Sequence, residues 1–426
     1  MRHNFAKHRR IGIIGGGPSG MAAAIAAARQ GADVTILERN DRLGKKILST
    51  GNGKCNLGNL DLSVDAYYGN DMAFVRNTLE RFSEKDTVSF FNKLGLMIKD
   101  RNGYLYPASE QAATVLDVLR FELQALGVLV ITECKVNHIR KDQRTGEILV
   151  SDGANEYIFD AVILACGSKA APKTGSDGSG YKLARQLGHS LIPTVPALVQ
   201  LKCSEDYLKA VAGVRADAQI RVLRDSHAVD QNEKYVAVER GELQLTEYGI
   251  SGIPVFQLSR QVNYILREKE QVRVEIDFLP DYSIEDIEKL CIERSKIVGK
   301  ERTVEEFFTG MLNKKIMLLF MKLAGLKGQT PVEDADPRKI KQVYELCKNW
   351  CVTVNGSNSY DNAQVCAGGV DTAEITENFE SRLVPGVYIV GELLDVDGKC
   401  GGYNLHWAWA SGVLAGAHAF GNNEKR

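Results

Sequence analysis

Ile11-Gly12-Ile13-Ile14-Gly15-Gly16-Gly17-Pro18-Ser19-Gly20 is the stretch that decides the fold of this chain. A short apolar run is broken by glycines at the G-x-G-x-x-G spacing, Gly15, Gly17 and Gly20, and an alanine-rich helical pattern follows from Met21 to Arg29. Ala32-Asp33-Val34-Thr35-Ile36-Leu37-Glu38 then reads as a second strand ending in an acid. Strand, tight turn, helix, strand and acid within about thirty residues is the order a dinucleotide-binding unit requires. Gly15 makes the turn, Gly17 lets backbone approach a pyrophosphate, and Gly20 lets helix pack on strand. Pro18 and Ser19 open the helix, whose N-terminus carries partial positive charge toward the phosphates. Glu38 is placed to accept hydrogen bonds from the two hydroxyls of an adenosine ribose.

Beyond Glu38 lies a polar, glycine-dense segment, Arg39 to Asn56, in which Gly44, Gly51 and Gly53 permit positive φ and close backbone approach. Lys45 and Arg39 are candidates for neutralising phosphate, with a solvated loop as the competing reading of both. Within this segment, Arg42-Leu43-Gly44-Lys45-Lys46-Ile47-Leu48-Ser49-Thr50-Gly51-Asn52-Gly53-Lys54-Cys55-Asn56 resembles the signature of the BaiN/YhiN-like NAD(P)/FAD-dependent oxidoreductases, a family that includes proteins described as aminoacetone oxidases. Three further stretches follow in that family's order. Asp160-Ala161-Val162-Ile163-Leu164-Ala165-Cys166-Gly167, running on to Gly175–Tyr181, is similar to the A-T-G strand of this flavoprotein class, with Cys166 in the threonine position. Leu245 to Pro254 matches a signature ending in G-I-S-G-P, except that Ile253 intervenes before the proline. The third lies within 363–412, where a strand ends in Gly391-Glu392 and the tail from Leu393 to Gly412 nearly repeats the family's second signature.

The resemblance implies a discontinuous, glutathione-reductase-like α/β fold: a Rossmann-like FAD-binding domain with an inserted β-barrel-like domain and a small helical domain. It implies that Glu38 serves the FAD adenosine and that Thr50, Gly51, Cys55 and Asn56 lie along the flavin. A strand near Val136 would pass the adenine, and Ala165, Cys166 and Gly167 would return beneath the nucleotide. Glu392, after the strand-ending Gly391, would hold a ribityl hydroxyl. Asp395, Gly402, Tyr403, Asn404 and Leu405 would surround the flavin N1/O2 edge, where glycine amides feed a helix N-terminus.

The boundaries expected are 1–190 and 363–426 for the FAD-binding domain, 191–280 for the β-domain with 347–362 as a candidate addition, and 281–346 for the helical insert. Apolar positions predict helix over 71–100, a hairpin over 101–107 and a helix from Glu110 to about Leu126 capped by Ser109. Alternation predicts strands over 128–131, 134–139 and 147–150, and short strands through 191–278. Glu/Lys-rich faces through 281–346 read as solvated helix surface.

At 426 residues two or three domains are expected. A net charge of −1 gives no global field for nucleic acid or anionic membrane, so neither is expected as a partner. Nine scattered cysteines without a C-x-x-C pair favour reduced thiols over a disulfide framework or a metal site. Arg9-Arg10 precedes an apolar run, but that run is the first Rossmann strand rather than a signal region, and a cytoplasmic location is expected.

The reading is an FAD-dependent oxidoreductase acting on a small molecule, with oligomeric state open. No second G-x-G-x-x-G follows a strand, so NAD(P)H would visit the flavin transiently as reductant. The kinship with fumarate-reductase-like flavoproteins and a family activity on oxo-bile-acid enones imply reduction of a polarised carbon–carbon double bond. Hydride would go from flavin N5 to the β-carbon and a proton from an acid to the α-carbon. His406, Tyr403 and Tyr104 are the candidates for that acid. Three alternatives stay open: an aminoacetone-like amine oxidase, a flavin-bound RNA-modifying protein, and a redox sensor.

Overall fold

The computed structural model describes residues 9–224, 235–298 and 302–421. Its contacts divide the chain into two compact units, 1–195 with 364–426, and 196–363.

The first unit is built on a five-stranded parallel sheet with strands Arg10–Ile14, Asp33–Leu37, Leu129–Ile131, Ala161–Leu164 and Val387–Ile389. Arg10–Ile14 lies at its centre, flanked in parallel by Asp33–Leu37 and Ala161–Leu164. Val387–Ile389 extends the sheet beyond Ala161–Leu164, although more than two hundred positions separate them in sequence. A strand buried on both faces reads as a continuous apolar run, and Ala161 to Leu164 are all fully buried. Helix Pro18–Arg29 begins at Gly17 with proline in its first turn, where the missing N–H costs nothing.

Two helices, Met72–Arg81 and Glu84–Lys93, occupy the 71–100 region. Ser83 divides them because it forms a capping box with Asp86, which starts a new helix there. The expected hairpin is present as Ile98–Arg101 against Tyr104–Pro107. Ser109 does not cap the next helix. That helix runs Ala112–Ala125 from Gln111, while Glu110 sits at φ 54° in the preceding turn. Residues 134–137 are loop, and the strand begins only at His138. His138–Lys141, Ile148–Ser151 and Glu156–Phe159 form a three-stranded antiparallel sheet.

The second unit is a closed six-stranded barrel of Leu201–Cys203, Gly249–Ser251, Ala237–Thr246, Arg215–Arg224, Val272–Asp277 and Trp350–Ser357. Helix Ile253–Arg267, which strand alternation did not anticipate, follows Gly252. Pro254 opens it and Val255, Leu258, Val262 and Ile265 give its buried stripe. The helices between 284 and 348 share this unit's core: Phe278 and Phe320 both pack against Trp350.

Candidate active site

The glycine turn after the central strand is shaped by contacts that only glycine permits. Gly15 has φ 107°, and a β-carbon there would lie 2.5 Å from the Ala165 carbonyl oxygen. A β-carbon on Gly20 would lie 2.0 Å from the Gly15 oxygen, so helix Pro18–Arg29 sits against the strand end. Gly17, in contrast, has nothing within 4 Å of that position, and its backbone faces open space. Glu38 is buried beside this turn. Its Oε2 accepts from the Gly16 N–H at 2.8 Å, and its Oε1 accepts from the backbone and side-chain N–H of Asn40 at 2.8 and 2.7 Å. A ribose hydroxyl would therefore share a carboxylate that already braces the loop. Cys134 N–H donates to the Glu38 carbonyl, which carries Val136 past the same acid.

Arg39 is ion-paired with Asp177, and Lys45 with Asp41. Cys166 Sγ lies 3.4 Å from the Ile14 carbonyl, and burial pushes its thiol up to about 12, so it is a protonated donor beneath the turn. Gly167, next to it, has φ 69° and faces Ser176 Oγ.

The C-terminal helix, Tyr403–Gly421, lies directly on helix Pro18–Arg29. A β-carbon on Gly412 would meet the Ser19 oxygen at 2.3 Å, and one on Gly416 the Ala23 oxygen at 2.2 Å. Both contacts advance in the same direction along both helices, so the helices are parallel and backbone touches backbone. Ser411 is level with Pro18, and the second helix begins eight residues earlier, ~12 Å further along at 1.5 Å per residue. Two helix N-termini, each with N–H groups that have no intrahelical partner, thus open in one direction at two stations. Gly391 joins them. Its φ is 68°, its N–H donates to Ser411 Oγ, its carbonyl accepts from Trp407 Nε1, and a β-carbon would strike Ser19 Oγ.

Around the second station, Glu392 Oε1 accepts from the Cys366 N–H at 3.0 Å and Oε2 pairs with Lys46 Nζ at 2.6 Å. Lys46, not Lys45, is therefore the lysine of the basic loop that reaches inward, and no local signal separates the two. In the 47–56 loop Thr50 breaks the helical geometry, Gly51 and Asn52 both have φ 55°, and Cys55 is fully buried with φ 60°. Asn56 is 9% exposed and its Oδ1 has no hydrogen-bond partner. It points at Gly402, where a β-carbon would come within 2.6 Å of that oxygen. Asp395 Oδ2 accepts from the Asn70 N–H at 3.0 Å. Asn404 Oδ1 accepts from the Gly398 N–H, and its Nδ2 donates to the Gly398 carbonyl. Leu405 is half-buried in the same first turn.

The three candidate acids separate. A side chain at Gly401 would lie 3.0 Å from the Tyr104 ring and 3.1 Å from the Tyr403 ring, so these two tyrosines flank the start of the C-terminal helix. Tyr104 is exposed, while Tyr403 is buried and its hydroxyl is pushed above the usual phenol range chiefly by desolvation. His406 is completely buried. Its Nε2 lies 3.1 Å from the Phe82 carbonyl, which can only accept, so Nε2 carries the proton and Nδ1 accepts from Thr87 Oγ1 at 2.9 Å. With both nitrogens bound and burial pushing its pKa down to about 4, His406 anchors two helices and offers no proton to a substrate.

Residues 9–418 match the family model described as HI0933-like protein Rossmann domain. The chain belongs to this HI0933-like family. Its members are FAD-dependent oxidoreductases of the BaiN/YhiN-like kind, as this chain is. The chain is 45% identical over 413 residues, 96% of its length and 98% of the relative's, to the 3-dehydro-bile acid delta(4,6)-reductase of Clostridium scindens. It is 29% identical over 405 residues, 94% and 95% of the two lengths, to the ribosomal RNA dihydrouridine synthase of Haemophilus influenzae. The Escherichia coli protein of the same description is also 29% identical, over 407 residues, 94% and 95% of the two lengths. Among the described residues, no helix is long and apolar enough to cross a membrane.

FAD, the cofactor of the family, is compatible with the residues present. The open backbone at Gly17 suits a pyrophosphate, Glu38 and the adjacent 134–136 loop suit an adenosine, and the unpartnered Asn56 Oδ1 is an acceptor awaiting a donor. The Lys46–Glu392 pair and the helix N-terminus at Gly402 supply polar groups at the flavin end.

Proposed function

We propose that this HI0933-like protein reduces a carbon–carbon double bond conjugated to a ketone, in a substrate of the oxo-steroid acid class, with NAD(P)H as reductant. The observation that carries this reading is the 45% identity, end to end, with a 3-dehydro-bile acid delta(4,6)-reductase. The chemistry that FAD supplies when bound is hydride transfer, here from a nicotinamide to the β-carbon of the enone. The chain's own residues do the rest. Gly15 to Gly20 and Glu38 hold the adenine dinucleotide end. Lys46, Asn56, Glu392 and Asp395 position the ribityl and flavin end. The N-terminus of helix Tyr403–Gly421 stabilises negative charge there. Tyr104, exposed beside Tyr403, presents its hydroxyl proton to the α-carbon, and Tyr403 and the tight turn at Gly401 orient it. One hydride and one proton are added, so the product is the dihydro ketone and the nicotinamide leaves oxidised. With reduced nicotinamide as the electron source, we place the protein in the cytoplasm.

Uracil also has a double bond conjugated to a carbonyl, so the same chemistry would serve an RNA substrate such as those of the 29% identical relatives. The test is anaerobic incubation of the holoenzyme and NAD(P)H with a 3-oxo-4,6-dienoyl bile acid or with a uridine-containing ribosomal RNA fragment and, separately, aerobic incubation of the holoenzyme with aminoacetone and no nicotinamide. A steroid product two mass units heavier supports the proposal. Dihydrouridine alone, or amine oxidation alone, overturns it.

A further inference from the structure

The 98–107 hairpin gathers a charge excess on the face that carries Tyr104. Its register pairs Arg101 with Tyr104 and Lys99 with Tyr106. Directly opposed residues of an antiparallel pair share a face, so these four side chains project together, with Leu105 buried behind. Glu110 Oε1 lies 3.4 Å from Lys99 Nζ and 3.5 Å from Arg101 Nη1, and its Oε2 lies 3.1 Å from Lys54 Nζ. Lys54 belongs to the 47–56 loop, so the cluster borders that loop directly. Tyr106 also reaches it: its ring lies 3.6 Å from where a β-carbon on Gly51 would be. Three cations converge on the Glu110 carboxylate, which balances one of their three charges.

Stability does not explain this arrangement. The cations are roughly half exposed, where ion pairs contribute little, and bringing Lys99 and Arg101 to one oxygen sets like charges beside each other. Glu110 is held below the usual carboxylate range, foremost by its hydrogen bond from Lys54, so it stays ionised and still balances only one charge. Asp100 does not add to it, because its Oδ1 accepts from the Gly103 N–H in the turn. A local positive field at the mouth of a site raises the local concentration of an anionic ligand and orients it. Lys99 is ~7 Å further along the hairpin than Arg101, given the strand rise. An elongated ligand reacting at Tyr104 would therefore have its charged end over the cluster.

We propose that Lys54, Lys99 and Arg101 form a specificity subsite for the carboxylate of the substrate. This rests on the enone-reductase reading. The subsite discriminates acids from their neutral esters, and Glu110 tunes it by competing for the same cations.

The experiment compares a steroid enone acid with its methyl ester, on the wild-type holoenzyme and on the K99Q/R101Q and E110Q variants. The quantity read is the acid-over-ester ratio of kcat/KM. We expect wild type to prefer the acid, K99Q/R101Q to lower the ratio about tenfold, and E110Q to raise it. Added salt should lower it in wild type. Equal losses on acid and ester, or a shift confined to the KM for NADPH, would overturn the subsite. Should wild type reduce neither compound, the enone reading fails. Equilibrium dialysis of the saturated acid and ester against the same holoenzymes then decides the subsite alone. Binding of the acid that weakens in K99Q/R101Q supports it. Equal binding of acid and ester, no binding of either, or charge-dependent binding of a uridine-containing RNA alone overturns it.

Discussion

Lys46 Nζ lies 2.6 Å from Glu392 Oε2, joining the loop after the second Rossmann strand to a carboxylate 346 positions later in the chain. Both side chains are about four-fifths buried, and Glu392 Oε1 is held separately by the Cys366 N–H. The pair fixes the carboxylate at the end of strand Val387–Ile389, where we propose that it holds a ribityl hydroxyl of FAD. E392A should weaken FAD binding by about tenfold or more, the usual scale for losing a charge-assisted hydrogen bond in a sheltered site. K46M should do the same, because it frees Glu392 to move. Titration of the apoprotein with FAD, followed by flavin fluorescence, measures both. Unchanged affinity in E392A would remove Glu392 from the cofactor site.

The two parallel helices depend on glycine at their contact. G412V would force side-chain atoms into the 2.3 Å approach to the Ser19 oxygen, and we expect a loss of about 1–3 kcal/mol, with the helices pushed apart. Since Ser19 also touches Gly391, displacement should reach the cofactor site, so FAD should be released below the unfolding temperature of the variant. Calorimetry with flavin fluorescence in the same scan checks this. An unaltered Tm would contradict the close packing.

His406 makes acid stability a test of its neutral, anchoring state. The unfolded chain takes up a proton at this histidine near pH 6.5, whereas the folded chain resists until about pH 4, because burial opposes the charge. The unfolded state therefore binds more protons across that window, and stability falls as pH drops through it, by about 3 kcal/mol in total for this site. Urea unfolding at a series of pH values should show a shallower decline in H406Q than in wild type between those limits. Parallel curves would mean the ring is already charged in the folded state.

Tyr104 and Tyr403 are distinguished by exposure. Y104F should lower kcat for enone reduction about a hundredfold while the protein remains yellow, as expected on losing a positioned acid. Y403F should have a smaller effect on turnover, because the hydroxyl of this buried ring is not the one presented. Steady-state rates with flavin content measured on the same samples separate the two. Full activity in Y104F would transfer the acid to another group.

The Rossmann core was readable because its requirements are local. Gly15, Gly17 and Gly20 answer to a turn, an open face and a close contact within ten residues, and the structure shows each. Gly391-Glu392 was readable through resemblance, but its Lys46 partner was not. Lys45 and Lys46 are adjacent and chemically alike, and which one points inward is decided by a strand that arrives 346 residues later. His406 misled for the same reason. A histidine in a glycine-rich tail looks catalytic until Phe82 and Thr87, on elements distant in sequence, are seen to bind both its nitrogens. The hairpin face with Lys99, Arg101 and Tyr104 was legible only as a hairpin, since Glu110 and Lys54 join it through a turn and a separate loop. Helix Ile253–Arg267 was hidden among strands, although Pro254 and the 3.6-residue stripe from Val255 to Ile265 signal it.

The most direct test of the proposed reductase is the oxidative half-reaction. The holoenzyme is reduced anaerobically with one equivalent of NADPH or NADH until the flavin band bleaches, and a 3-oxo-4,6-dienoyl bile acid is then added without oxygen. We expect the band to return in proportion to the steroid added, with one double bond reduced for each flavin reoxidised. A bleached flavin that stays bleached with the steroid, yet recovers on adding a uridine-containing RNA or oxygen alone, would contradict the assignment.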